Sequence, residues 1–486
     1  MTNPFQRRPK QDGRHTPNLW PVWLVAPGAL LLVALVAYGL FHGADLLLAS
    51  GNTGKGKKAV PVQEVIKTTV TVLTLVGAVL AALYAYRKQL LDEGTSHRAD
   101  ATQLTERYTK AAEQLGHEQA AVRLAGVYAM ARLADDWPEQ RQVCVDVLCA
   151  YLRMPYDIDI NAHGFRHGER EVRLTIIRII RSHLQDPTET TTWCGRSLDF
   201  TGATFDGGDF SGATFSDGQV TFSGATFSGG TVFFSHATFS GGSVRFRGAT
   251  FSGGTVFFTA AKFSGGSVDF RRATFSSGRV AFFAARFSDG YVDFGRSTFS
   301  GGRVELTRST FSGGRVTFSG ATFSGGQIDF GGATFSGGQI DFHETTFSDG
   351  QVTLGHSTFS GGRVILRRSI FSGGQIDFAR SRFTGGQIDF GGATFSGGQI
   401  DFTRSTFSDG QVDFRSSTFS DSEIYFRDAM FSGGVVTFSR ATISGGTVHF
   451  GDATLSGGQV SFNGSRVGAA ANIDWGPLPP VPANQP

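Results

Sequence analysis

The chain has 486 residues, with 44 Lys and Arg against 41 Asp and Glu, for a formal charge of +3. That balance excludes strong bulk attraction to nucleic acid, and three cysteines (Cys144, Cys149, Cys194) are too few and too ill-spaced for a disulfide framework or a zinc site. The anomaly is 66 glycines and 46 phenylalanines, which point to a repeat.

Residues 1–19 are basic, and residues 20–86 carry two apolar stretches. "WPVWLVAPGALLLVALVAYGLF" (20–41) carries no charge from end to end and is long enough to span a bilayer. "TTVTVLTLVGAVLAALYAY" (68–86) is a second span with tyrosines at one interface. A signal peptide fits the first stretch less well, because the apolar run is too long and no small-residue cleavage site follows. Arg7, Arg8, Lys10, Arg14, Arg87, Lys88 and Arg98 flank the pair, against Lys55, Lys57, Lys58 and Lys67 between them. The expectation is a transmembrane helical hairpin in the cell membrane, with both termini cytoplasmic. "GNTGKGKK" (51–58) fits a phosphate-binding loop as far as its first lysine. Lys58 then stands where Ser or Thr would hold magnesium, and no strand or amphipathic helix frames the loop.

Residues 87–190 read as a small all-α adaptor. Val122, Ala125, Ala129 and Leu133 recur at helical spacing, with a second stripe at Leu124, Val127, Tyr128 and Ala131, so this helix is expected to pack on two sides. Cys144, Val147, Leu148, Tyr151 and Leu152 mark another helix, with Pro138 near its first turn and both cysteines as buried thiols. A last helix carries Val172, Ile176, Ile179 and Ile180. Its Arg170, Arg173, Arg178 and Arg181 form a basic face that either meets anionic head groups or stands in water. His163 and His167 lack the further ligands zinc needs, since Asp157 and Asp159 are weak candidates, and they read as a surface loop. No nucleophile elbow, H-E-x-x-H or kinase signature occurs, so no catalytic residue, metal ligand or cofactor is expected.

From 198 the pattern changes again. Thirty-seven phenylalanines fall on two columns spaced by 12, from Phe215 to Phe431 and from Phe222 to Phe462, broken only by Leu306, Leu354 and Leu366. "LDFTGATFDGGDFSGATF" (198–215) puts Phe200, Phe205, Phe210 and Phe215 at strict five-residue spacing. This stretch resembles the pentapeptide repeat family, whose units read A-[DN]-[LF]-x-x. The resemblance implies a right-handed quadrilateral β-helix, with the central large residue and the small residue two before it pointing inward. The layout, a membrane hairpin and helices followed by repeats, is similar to that of actinobacterial membrane-anchored members. Beyond 215 the repeat departs from the family. A-T-F-S-G (321–325) and I-D-F-G-G (328–332) are two such units separated by Gly326 and Gln327, so 12 is five plus five plus a corner dipeptide.

Residues i and i+2 share a strand face, which places Phe215, Phe222, Phe323, Ile328 and Phe330 in the structural core. Glycines are expected at the corners for the positive φ that sharp turns need. A 12-residue coil would make a very thin tube, whereas a 24-residue coil has four sides and stacks the outward Phe233 on Phe257. The solenoid (β-solenoid) is expected over 198–467 with the 24-residue coil. The adaptor covers its first coil, Trp475 its last, and residues 468–486 form a Pro-rich tail.

Charge argues against the family's DNA-mimic, topoisomerase-binding members, because residues 198–468 hold 21 acidic and 21 basic side chains. Ice binding by the Thr rank at 226, 250, 274, 298, 322 and 346 is poorly served by a single rank on a cytoplasmic rod. The leading expectation is a non-enzymatic, membrane-tethered scaffold for protein contacts, with no nucleic acid partner. Its candidate partner surface comprises Phe233 and Phe257, and an acidic patch in which Asp377 stacks with Asp401 and Asp389 with Asp413 near Asp329 and Asp341. That patch either takes a cation or a basic partner or is neutralised by the adjoining Arg303, Arg315 and Arg363, which is the favoured reading. Gln327, Gln351, Gln375 and Gln399 should form a hydrogen-bonded ladder.

Overall fold

The structure, a computed structural model, describes residues 62–478 together with 31, 34–36, 38, 39, 42 and 43. The loop 51–58, most of the first expected span and the end of the Pro-rich tail lie outside these residues. The chain divides into two compact units, residues 1–107 and 108–486. Helix α1 (Val62–Leu115) runs for 54 residues and contains the second expected span. Among the described residues no helix is long and apolar enough to cross a membrane, so the expected transmembrane hairpin is not borne out. Nor does the helix break where span and adaptor were expected to divide. Residues 87–93 (RKQLLDE) are good helix formers without proline, and nothing in them stops the helix.

In the second unit, α2 (Ala120–Asp136), α3 (Arg141–Arg153) and α4 (Glu169–Ser182) precede the strands. Helix α2 buries Arg123, Gly126, Val127, Met130, Ala131, Leu133 and Ala134. This differs from the expected stripes: Ala125 and Tyr128 are exposed, and Arg123 is fully buried. Hydropathy excludes an arginine from a core, but Glu169 lies 3.2 Å from Arg123, and the His117 carbonyl accepts from its guanidinium at 3.0 Å. A buried charge is tolerated when paired and hydrogen-bonded. Burial pushes the Cys144 and Cys149 thiols up to about 11 and about 12, so both stay protonated at neutral pH and act as packing groups.

The strands form a right-handed, four-sided parallel solenoid. Its first coil comprises β1 (Leu198–Asp199), β2 (Thr204–Phe205), β3 (Gly208–Asp209) and β4 (Thr214–Ser216), and β5 (Gln219–Thr221) begins the second. The β1 side stacks twelve strands and the β4 side eleven. The β2 and β3 sides join into one 22-stranded sheet, because the late strands Thr442–His449 and Arg466–Asp474 run through the corner between them. At an inter-strand spacing of roughly 4.8 Å, the rod is on the order of 50 Å long. Stacked strands keep a 24-residue step along the rod, as in Phe299 on Phe323 and Ile328 on Val352.

Phe215, Phe222, Phe323, Ile328 and Phe330 are buried. Successive rings stack face to face: Phe251 and Phe275 lie 4.7 Å apart at 3°, and Phe287 and Phe311 4.7 Å apart at 1°. The small inward positions are filled mostly by Ala or Ser. The serine hydroxyls among them donate to a carbonyl of the coil before, as Ser357 does to Phe330 at 3.0 Å and Ser381 to Leu354 at 2.8 Å. Burial at these positions therefore leaves no hydroxyl unsatisfied.

The expectation of glycine at positive-φ corners holds only in part. Positive φ recurs at the turn after each valine- or isoleucine-bearing side, where glycine carries it at Gly320 (67°), Gly332 (67°) and Gly392 (71°), and arginine at Arg272 (57°), Arg296 (57°) and Arg308 (56°). Many of the recurring glycines sit at the dipeptide corners for another reason. A Cβ on Gly326 would meet Phe299 Cβ at 2.7 Å, and one on Gly302 would meet Phe275 Cβ at 2.7 Å. Close approach of the chain to the ring column below excludes a side chain.

Phe323→Ala should cost about 3–5 kcal/mol by loss of a buried ring, and Phe323→Asp should disrupt its coil while distant coils persist. Limited proteolysis checks both. An unchanged cleavage pattern around residue 323 in Phe323→Asp would contradict the stacked interior.

Candidate functional site

Each β1-type and β3-type side carries two outward residues around its inward Val or Ile. On the β3 side the first outward rank holds the glutamines. Gln327, Gln351, Gln375 and Gln399 pass amide hydrogen bonds down the rod at 3.1, 3.3 and 3.4 Å, and the last donates to Glu423 at 2.8 Å. This ladder satisfies its own donors and acceptors and stiffens the face.

The second outward rank holds the aspartates, and they do structural work. Asp377 Oδ1 accepts the Ala379 N–H at 2.7 Å, Asp401 that of Thr403 at 2.7 Å, Asp389 that of Gly391 at 3.0 Å and Asp413 that of Arg415 at 2.8 Å. Each is a side-chain turn that holds the corner behind it. The register places Asp377 on Asp401 on one side of the rod and Asp389 on Asp413 on the opposite side. The two pairs stack as expected, but because they face apart they do not form one patch. Arg363 reaches Asp389 at 3.1 Å and Arg415 donates to Asp413 at 2.7 Å, while Arg303 reaches Asp329 at 3.3 Å and Arg315 pairs with Asp341. On the other side, burial holds the Asp377 carboxyl above its usual range, and the neighbouring Asp401 and Asp329 charges add to this.

The junction between adaptor and rod holds the residues that the sequence misassigned. The first coil is short: Leu198 pairs with Val220 and Thr204 with Thr226, a step of 22, because no dipeptide separates the units of Phe205 and Phe210. Helix α4 lies against that abbreviated corner. A Cβ on Gly208 (φ 154°) would meet Ile177 Cδ1 at 3.0 Å, and one on Gly207 (φ 139°) would lie 3.5 Å from the Arg170 guanidinium. The basic face of α4 closes this contact. Arg170 donates to Asp206 at 2.9 Å, and Arg181 pairs with Asp209 at 2.8 Å and donates to the Ser211 carbonyl at 3.0 Å. Arg173 is buried beside Glu169, 3.8 Å away, and under the ring of Tyr156, whose hydroxyl donates to Asp206 at 2.9 Å. Arg178 alone of the four is well exposed without a partner on the rod, pairing with Glu171 at 3.3 Å. The signal was present as the strict five-residue run from Phe200 to Phe215, which marks a coil without its insertion.

Phe233 and Phe257 stack in register on the β3 side, 5.5 Å apart at 15°. Phe233 is 39% exposed and lines a groove with Leu174, Arg178 and Gly208, of about 450 Å³. Arg279 covers the face of Phe257 at 5.7 Å. His163 and His167 lie on an exposed loop between α3 and α4.

Residues 194–238 match the family of pentapeptide repeats (9 copies). No curated protein and no solved structure matches the chain.

Inserting Gly-Gln between Gly207 and Gly208 should lengthen the first coil to the common step and unseat α4. Hydrogen exchange in α4 should then rise sharply while the coils beyond residue 260 keep their protection. Unchanged protection in α4 would show that the short coil is not its seat.

Proposed function

From a chain whose pentapeptide repeats at residues 194–238 open a stacked β-solenoid, we propose that this protein is a non-enzymatic scaffold. It holds a long, rigid face for protein contacts. The observation that carries the reading is the 24-residue register, which sets outward side chains in straight ranks one coil apart. Rotamers locked in such ranks lose little entropy when a partner docks. Phe233 and Phe257 on the β3 side, and further along the same side the glutamine ranks from Gln327 to Gln399, are outward groups set in register for a partner.

A DNA-mimic function is less well supported. A DNA mimic needs a continuous acidic surface, whereas the rod has equal numbers of acidic and basic side chains and its aspartate pairs lie on opposite sides. The finer reading, a tether to the membrane, is supported by the apolar stretch 68–86 and by exposed Val70, Leu73, Val79, Leu80 and Leu83 on α1. Alkaline carbonate extraction of native membranes should leave a tethered protein in the pellet; full release would remove the tether and leave the scaffold untouched.

The scaffold itself is tested by photo-crosslinking from benzoylphenylalanine placed at the exposed Thr322, Gln351 and Gln387 of the full chain in its native cells. Adducts with other proteins are expected from at least one face, and the same adduct from the equivalent position one coil further along it. No protein adduct from any face would overturn the reading.

A further inference from the structure

The corner that follows the β3-type side, over the second to fifth coils, carries a combination of side chains that the solenoid has no need of. Phe233 and Phe257 stand in the outward rank of that side, in register with Ala281. Two residues beyond Ala281, at the turn, Phe283 is 40% exposed. None of these rings belongs to the inward columns. The next side of the same coils presents Lys262 stacked in register on Arg286, both exposed. Arg308 lies over the Phe283 ring at 5.7 Å. Like charges directly opposite one another destabilise a sheet. Among the described residues, the ion pairs of this part of the rod, Arg271 to Asp269, Arg279 to Glu305 and Arg303 to Asp329, leave out Lys262, Arg286 and Arg308. A rod that is neutral over its length is thus locally cationic beside its exposed aromatic strip.

We propose that this corner is a docking site for an acidic amphipathic helix of a partner protein, lying along the rod axis. The proposal rests on the scaffold reading and names the partner's chemistry. Three observations select that occupant. Lys262, Arg286 and Arg308, none of them in those ion pairs, border the aromatic strip, so an apolar stripe flanked by carboxylates matches both parts at once. The apolar knobs rise with the coils, at roughly 4.8 Å per step. A helix presents apolar groups at i, i+3 or i+4, and i+7, about 5.4 Å apart along its axis, whereas an extended segment spaces them about 6.7 Å apart and falls out of step. Finally, the ring faces are already occupied. Phe233 and Phe257 lie on each other at 5.5 Å, and arginines cover Phe257 and Phe283 at 5.7 Å each. Nucleic acid bases bind to aromatic groups through open faces, and here mainly edges are offered, which suit Leu, Ile or Met side chains.

The experiment places benzoylphenylalanine at Thr259, beside this strip, and separately at Gln351, on the glutamine ladder, in the full chain in its native cells. Adducts from Thr259 should map to acidic segments with apolar residues at helical spacing. Their yield should fall at least fivefold in Lys262→Glu/Arg286→Glu and in Phe233→Ser/Phe257→Ser, and recover in Lys262→Arg/Arg286→Lys. Protease resistance of the rod, measured in parallel, separates lost docking from lost folding. A variant that loses resistance is replaced by Arg308→Gln, for which the same fall is expected. Adducts to lipid, to nucleic acid or to segments without that pattern would overturn the proposal, as would a yield that ignores charge reversal. Protein adducts from Gln351 with none from Thr259 would overturn this site and leave the scaffold standing. Adducts from neither position would count against both.

Discussion

Parallel strands stack at roughly 4.8 Å, and phenyl rings in face-to-face columns sit at nearly the same distance, 4.7 Å for Phe263 on Phe287 and 4.8 Å for Phe395 on Phe419. That coincidence is the constraint on which the rod depends. A ring placed inward in one coil meets a ring in the next without tilting the backbone, so one residue type serves nearly every coil, with Leu306, Leu354 and Leu366 as the interruptions before the last coils. Four such columns leave room at the remaining inward positions only for Val or Ile on two sides and small residues, mostly Ala or Ser, on the other two. The same closeness forbids a side chain where the chain crosses over a ring column, which is why glycine recurs at Gly302, Gly326 and Gly350.

A stack of identical coils ends in unpaired backbone, and its two ends solve that problem differently. At the start the coil is shortened and a helix takes the vacated corner, held by Arg170 and Arg181 on Asp206 and Asp209. At the finish the columns change to Ile443, Leu455 and Val467, and Trp475 turns its ring edge-on to Phe462 at 5.1 Å. Capping by a helix with specific ion pairs suits a junction within one folded unit, and bulk apolar cover suits a terminus.

Most of the outward surface is spent on the fold. The aspartates hold turns, the glutamines bond to one another, and arginines such as Arg315 and Arg363 neutralise the carboxylates beside them. Against that background, aromatic side chains outside the columns and cations outside the ion pairs are the informative residues, because stability does not explain them.

The repeat was legible because its signal is one-dimensional. Phenylalanine at alternating five- and seven-residue spacing sets the inward positions, and the 24-residue recurrence of Phe233 at Phe257 sets the coil, since stacking is contact between residues at a constant separation. Tertiary structure alone decided what depends on direction and partnership. Sequence spacing paired Asp377 with Asp401 and Asp389 with Asp413 one coil apart and read the four as one patch. Only the closed four-sided turn put alternate ones on opposite sides. The sequence placed Arg173 on a basic outer face and gave no sign that Arg123 is buried, whereas Glu169, remote from Arg123 in sequence and one helical turn from Arg173, pairs with both in the core. Charge pairing across the fold can reverse a residue's preference for water, and no periodicity in the chain records it.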